Sequence, residues 1–350
     1  MRYNLPLHER LPDSLAAQYS ELLRHAVRPT PDGSNLSFKA KRVRGRTYWY
    51  LYVSLGRRRT EHYLGAETPA LLDTIARERD LWAATADDRD VRARLVSVLL
   101  AGGAMPTAGD EAKVLRLLER GGVFLAGGVL VGTIAFRAYA NLLGVVWASD
   151  AATRDIDLAD DRSIPVAVDA DERVSLPTLL EESGMGFLPV PSLDRKAPVT
   201  EYRLRGRELS VELLTPMVGA PDGAPRPIPQ LGAFAEPVRF LDYLLEDVQI
   251  AVLLHAHGVL VNVPSPARFA LHKLVVSRRR PATFAEKARR DLAQAAMLLD
   301  LLADERPGDL ALAADAALAV GGRFVGQMRA GLASLEPVLA ERVRGCASGL

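Results

Sequence analysis

The sequence predicts an α+β protein in three successive parts: a basic N-terminal β-hairpin region, a small α+β core, and a helical C-terminal domain. Three observations predict it. Aromatic and β-branched residues crowd between Leu36 and Leu64. Short alternating segments, TRDIDLA and ELSVELLTP, punctuate the middle of the chain. From Phe234 onward apolar residues recur at helical spacing, in FLDYLLEDVQIAVLL, ARFALHKLVVSRR and FAEKARRDLAQAAMLLDLL. The expected parts are residues 1–105, 106–232 and 233–350.

Size and composition agree with this division. A chain of 350 residues exceeds one average domain, and its 49% hydrophobic and 25% charged residues are an ordinary globular mix with ample material for a core, so disorder is not the default. Cys346 is the single cysteine, which excludes an intrachain disulfide or a cysteine-based zinc framework and fits a reducing cytoplasm. The opening residues contain no apolar run of signal-peptide length. The longest uncharged stretch, Gly121 to Phe136, falls short of the roughly 20 residues a membrane span needs and is bounded by Arg120 and Arg137. It reads as buried core, so no membrane is expected.

In the N-terminal part, Leu15 to His25 reads as a short helix ended by the turn formers Pro29, Pro31 and Gly33. Breaks at Gly45 and Gly56 then divide the β region into two hairpins or a three-stranded meander. Charge here is lopsided. Residues 1–65 carry 12 Lys or Arg against 5 Asp or Glu, a local +7 that leaves −6 for the rest, since the whole chain sums to +1. Such a split suits a polyanionic partner or an acidic face of the same protein. Lys41, Arg44, Arg46, Trp49 and Arg58 are the candidates for nucleic acid, because basic side chains beside stackable rings suit phosphates and bases together. The alternative is a small sheet whose aromatics are buried and whose arginines are its solvated face.

Residues 69 to 100 have helical composition, and Gly102, Gly103 and Pro106 break the chain after them. Asp110 opens the next helix as a cap or first-turn acid. A helix from about Ile134 to Leu143, short strands at Val145 and Asp155 to Leu158, and a strand from Tyr202 to Leu214 complete the core.

Chemistry concentrates in this core. Side chains two apart on a strand share a face, so Asp155 and Asp157 point the same way while Ile156 and Leu158 face inward. Paired carboxylates on a rigid strand suit magnesium or manganese. Asp-x-Asp alone is a weak signal, and Asp88-Arg-Asp90 and Asp169-Ala-Asp171 are its internal controls. Context separates the pair at 155: apolar flanks, a glycine-rich segment before it, and ELSVELLTP after it, with Glu212 on that strand's polar side. In GGVLVGTIAFRAY, Gly132 and Thr133 open a helix whose exposed N–H groups suit an anion. Neither P-loop nor Rossmann spacing is present.

Gly132-Thr133, Asp155-Ile156-Asp157 and then Glu212 resemble the pattern of the DNA polymerase β superfamily of nucleotidyltransferases. GGVLVGTIAFRAY, TRDIDLA, VELLTP, ARFALHKLVVSRRR and RTYWYLYVSLG are similar to a bacterial nucleotidyltransferase-like branch, itself similar to abortive-infection type toxins. The resemblance runs from about residue 36 to 300 and implies a nucleotidyltransferase core with a mixed sheet. Two departures stand out: Thr133 where the pattern has Gly or Ser, and 21 residues between Thr133 and Asp155, more than the usual interval.

By that resemblance Lys273 matches a lysine that contacts nucleotide phosphates, and Asp291 an acid that supports the site. Lys273 and Arg280 are seven apart, which on a helix places them on one face for a triphosphate. His272 and the pair His255 and His257 invite a metal reading, but no other His or Cys is spaced to complete a zinc site. No Gly-x-Ser-x-Gly marks a hydrolase. The expected function is metal-dependent transfer of a nucleoside monophosphate from an NTP to an acceptor, which is RNA such as tRNA, a protein hydroxyl or a nucleotide. Asp155, Asp157 and Glu212 would hold Mg²⁺ or Mn²⁺. Two other readings stand beside it: an inactive nucleotide- or RNA-binding module of the same fold, and a toxin or phage-defence component masked by an inhibitory partner protein.

Overall fold

The computed structural model describes residues 6–27, 36–55, 58–148, 155–160, 174–192, 194, 196–219, 223–347 and 349–350. Pro29, Pro31, Gly33, Gly56 and the Asp169-Ala-Asp171 pair lie outside the described residues.

The described residues open with β1 (His8–Arg10) and α1 (Asp13–Ala26), whose Leu15, Tyr19 and Leu22 bury one face at helical spacing. A separate antiparallel sheet follows, formed in order by β2 (Leu36–Val43), β3 (Arg46–Leu55) and β4 (Arg58–Ala66). Arg44 and Gly45, with φ of +50° and +81°, turn β2 into β3, the two-residue geometry that matches strand twist. Next comes α2 (Pro69–Ala101), capped by Thr68, whose hydroxyl accepts from the Leu71 N–H at 3.2 Å. Phe38 of β2 stacks on Trp82 of α2 with ring centroids 4.7 Å apart, so the helix covers one face of the meander. Asp110 is a first-turn acid of α3 (Gly109–Arg120), favoured there by the helix dipole.

The core comprises β5 (Gly128–Val131), α4 (Gly132–Leu142), β6 (Val145–Trp147), β7 (Asp155–Asp160), α5 (Leu176–Glu182) and β8 (Phe187–Pro189). It continues through β9 (Glu201–Leu204), β10 (Ser210–Pro216), β11 (Arg226–Ile228) and β12 (Ala233–Val238). A seven-stranded mixed sheet runs β11-β12-β10-β7-β5, with β9 also on β10 and β8 on β9. β10 is parallel to both β7 and β12, and β5 is antiparallel to β7. The fold is therefore the α+β arrangement with a mixed sheet. The single strand expected from Tyr202 to Leu214 is two, because Gly206, at φ +71°, lets the chain reverse between β9 and β10. The long interval after Thr133 is partly filled by β6, which leaves the main sheet to pair with β1.

The helical reading from Phe234 is corrected. After β12 come only a short α6 (Leu241–Leu245) and then a hairpin of β13 (Val248–Leu253) and β14 (Val259–Pro264). VQIAVL is a short, β-branched, nearly continuous apolar run, which periodicity alone cannot distinguish from a buried helix. The all-helical region begins with α7 (Pro266–Arg279) and continues through α8 (Ala285–Glu305), α9 (Pro307–Val320), α10 (Gly322–Leu332) and α11 (Pro337–Cys346).

Buried polar groups tie the parts together. The Tyr19 hydroxyl donates to the Val252 carbonyl at 3.2 Å and accepts from its N–H at 2.9 Å, fixing α1 on β13. Asn262 donates to the carbonyls of Phe124 and Gly128, at 2.8 and 2.9 Å, and so holds the entry to β5 against β14. Tyr139, wholly buried on α4, donates to the Pro264 carbonyl at 2.8 Å. Such bonds contribute modestly when made, but leaving a buried partner unpaired costs about 1–3 kcal/mol. Among the described residues no helix is long and apolar enough to cross a membrane.

Candidate active site

β7 alternates as its sequence requires. Ile156 and Leu158 are fully buried, which leaves Asp155 and Asp157 on the opposite face. The parallel register with β10 sets Ser210 beside Asp155 and Glu212 beside Asp157, so Glu212 joins that face. On the other flank Val131, the last residue of β5, pairs with Asp157. Gly132 therefore stands directly against the Asp157 carboxylate as the chain turns into α4. A β-carbon on Gly132 would lie 1.9 Å from Asp157 Oδ2, and its φ is +67°, so glycine is required on both counts. Thr133 follows, buried in the first turn, its hydroxyl accepting a long 3.4 Å bond from Gln294 Nε2.

Val131, Gly132, Thr133, Asp155, Asp157 and Glu212 line a cavity of about 280 Å³. Lys273, Arg280 and Asp291 line it from the helical region, together with Lys287 and Arg290. Lys273 Nζ donates to Asp291 Oδ1 at 2.6 Å, and Arg280 Nε donates to Asp291 Oδ2 at 2.5 Å. Arg280 lies one residue beyond the end of α7, so it does not continue a helix face from Lys273. The two cations converge through Asp291 of α8. Leu241, Leu244 and Phe269 make the cavity's apolar side.

The electrostatics follow from burial. Burial, with repulsion from Asp155, pushes Asp157 up to about 6 against the pull of Lys273, Lys287 and Arg280. Burial, and then the charges of Asp157, Glu201 and Asp155, push Glu212 up to about 7, with Lys287 opposing. Burial also acts to raise Asp291, but Lys273 and Arg280 outweigh it and hold that carboxyl below its usual range. Asp155 is less enclosed; Ser210 Oγ donates to it at 3.2 Å and Lys287 Nζ lies 3.8 Å away.

The acids test well as a divalent-cation site by donor chemistry: three carboxylates from adjacent strands on one wall, two of them destabilised as anions by burial and mutual charge. Among the described residues, however, no three His, Cys, Asp or Glu groups already enclose an ion, so the carboxylates would have to close on it. His272 lines the same cavity, buried, with no hydrogen-bond partner for its Nε2 among the described residues. His255 and His257 sit in the loop joining β13 to β14 and are not among the residues that line the cavity.

Sequence reasoning missed Lys287 and Arg290. The signal was present, since Lys287 precedes Asp291 by four residues and so shares its face of α8. The basic candidates of the meander separate. Lys41 and Arg46 fall on its outer face and Arg44 in its first turn, while Arg58 pairs in register with Leu55. Trp49 falls on the face toward α2, where its Nε1 donates to Glu67 at 3.0 Å and the Arg79 guanidinium lies 5.6 Å from its ring.

The mixed sheet, the glycine turn beside a carboxylate strand and the opposing cations define a protein of nucleotidyltransferase fold. A family model described as nucleotidyltransferase matches residues 110–319, which is more than half of the chain and contains every element of the cavity. The chain belongs to that family. No curated protein matches it.

Proposed function

We propose that the protein transfers a nucleoside monophosphate from an NTP to an acceptor hydroxyl and releases pyrophosphate. The supporting observation is the register that sets Asp157 beside Glu212 on parallel strands, facing a cavity whose other wall carries Lys273, Lys287, Arg280 and Arg290. Asp155, Asp157 and Glu212 are the residues to hold Mg²⁺ or Mn²⁺. A divalent ion bound there would supply Lewis-acid polarisation of phosphoryl oxygens and template the in-line displacement.

The chain's own residues do the rest. The N–H groups of the first turn of α4, after Gly132, and the cations of α7 and α8 bind and orient the triphosphate. Leu241, Leu244 and Phe269 offer an apolar surface to the base. One of the carboxylates takes the acceptor's proton while its oxygen bonds to the α-phosphorus and the bond to the pyrophosphate oxygen breaks. Lys273 and Arg280, fixed by Asp291, offset the negative charge that develops on the leaving group.

Incubation with α-labelled NTPs, Mg²⁺ and total RNA or protein should label an acceptor, and Asp157→Asn or chelation should abolish it. Equal labelling by wild type and Asp157→Asn would sink the assignment. Tight NTP binding in calorimetry, with no pyrophosphate released for any acceptor, would favour an inactive binding module instead. For the toxin-like role implied by the resemblance, the corresponding test is growth arrest on expression that Asp157→Asn relieves.

A further inference from the structure

The outer face of the β2–β4 meander has a chemistry of its own. Tyr48, Tyr50 and Tyr52 alternate along β3 onto the side away from α2, and the register brings Tyr63 of β4 beside Tyr50. The Tyr63 ring centroid lies 5.4 Å from that of Tyr50 and 6.3 Å from that of Tyr48, and Tyr63 remains 60% exposed.

Cations stand among these rings. Lys41 Nζ is 4.4 Å from the Tyr50 centroid, Lys39 Nζ 5.7 Å from that of Tyr52, and the Arg59 guanidinium 4.2 Å from that of Tyr52. The acid of this face, Glu61, is engaged locally: it accepts from Tyr52 Oη at 2.5 Å and from Lys41 Nζ at 2.5 Å. The rings that pack the sheet onto the protein, Phe38 and Trp49, are on the other side. The outer tyrosines are thus not needed to bury the sheet.

We propose that this face binds single-stranded RNA, with bases stacked on Tyr48, Tyr50 and Tyr63 and phosphates met by Lys39, Lys41 and Arg46. Unpaired bases are required because a duplex hides the base faces that rings stack on. On this face Lys39, Lys41, Arg46 and Arg59 stand against Glu61, a charge of +3 that complements a phosphate backbone. The phenol of exposed Tyr63 can donate to or accept from a ribose 2′-hydroxyl, a contact that DNA lacks and that favours RNA. The surface lies outside the carboxylate cavity, and the proposal does not rest on the catalytic reading.

The test is fluorescence anisotropy of the full chain with a labelled, unstructured RNA of about 15 nucleotides, in the absence of NTP and metal. Tyr63→Leu and Tyr50→Leu should each weaken binding roughly tenfold while retaining the wild-type melting temperature. Lys39→Gln should weaken binding and lower the slope of log affinity against log salt by about one. DNA of the same sequence should bind several-fold more weakly. Wild-type affinity in Tyr63→Leu, whose exposed ring can be removed without unfolding the sheet, would overturn the proposal, and equal affinity for DNA would overturn the choice of RNA. Asp157→Asn should bind RNA as wild type does, so failure here and failure of nucleotidyl transfer are read separately.

Discussion

Gly132 and Asp157 are fitted so closely that a β-carbon on the glycine would stand 1.9 Å from the aspartate's Oδ2. Gly132→Ala therefore meets two obstacles at once. The φ of +67° costs a residue with a β-carbon roughly 1–2 kcal/mol, and the carboxylate must move away from its place beside Glu212. Displacements of this size near reacting groups lower rates by about a hundredfold. Nucleotidyl transfer by Gly132→Ala should fall by at least that factor while the protein remains folded. Near wild-type turnover would mean that the Asp157 position is not catalytic.

Asp291 lies between two cations, one of them the buried ammonium of Lys273, with side-chain exposures of 4% and 9% for the acid and the lysine. Removing one partner of a buried pair leaves the other uncompensated, at a cost of about 3 kcal/mol or more. Asp291→Ala should lose that much in urea denaturation, whereas Arg280, 31% exposed, can turn toward water. The double variant Asp291→Leu with Lys273→Met should recover most of the loss, and additive losses would show that the pair is not coupled.

Lys287 differs from Lys273 in being half exposed, 3.8 Å from Asp155. Its role is expected in binding the triphosphate, not in holding the fold. Lys287→Ala should raise KM for the NTP about tenfold, the loss of one charge-assisted contact, and change stability by less than about 0.5 kcal/mol. A large fall in kcat with unchanged KM would place Lys287 in the chemical step instead.

The sequence made some of this legible and hid the rest for physical reasons. Asp155, Asp157 and Glu212 stood out because strand alternation forces acids to one face when Ile156, Leu158, Val211 and Leu213 are buried. The meander was legible from its rings and the break at Gly45, but not which rings face out, since that depends on the helix that covers it. β13 was hidden because a short buried apolar strand carries no period of its own. The Asp291 junction was hidden for a different reason. Lys273 and Arg280 looked like a helical pair, and only the end of α7 at Arg279 lets Arg280 turn to meet α8.

His272 gives a pH dependence that can be isolated. Burial, followed by the charges of Lys273 and Arg279 and opposed by Asp291, pushes its imidazole down to about 3. The folded protein therefore keeps His272 neutral where the unfolded chain would protonate it, below about 6.5. A depressed folded value means stability that is complete above that pH and is lost as pH falls toward 3, at about 1.4 kcal/mol per unit. The raised values of Asp157 and Glu212 act in the opposite direction, because those groups penalise the folded state when ionised and relieve it on protonation. The wild-type curve is thus a sum of opposing slopes, and the informative quantity is the difference from His272→Gln at each pH. Between pH 7.5 and 5.5 that difference should shift by roughly 1.4 kcal/mol in favour of the variant, read from urea midpoints. Parallel losses in the two proteins would mean that His272 takes up its proton in the folded state.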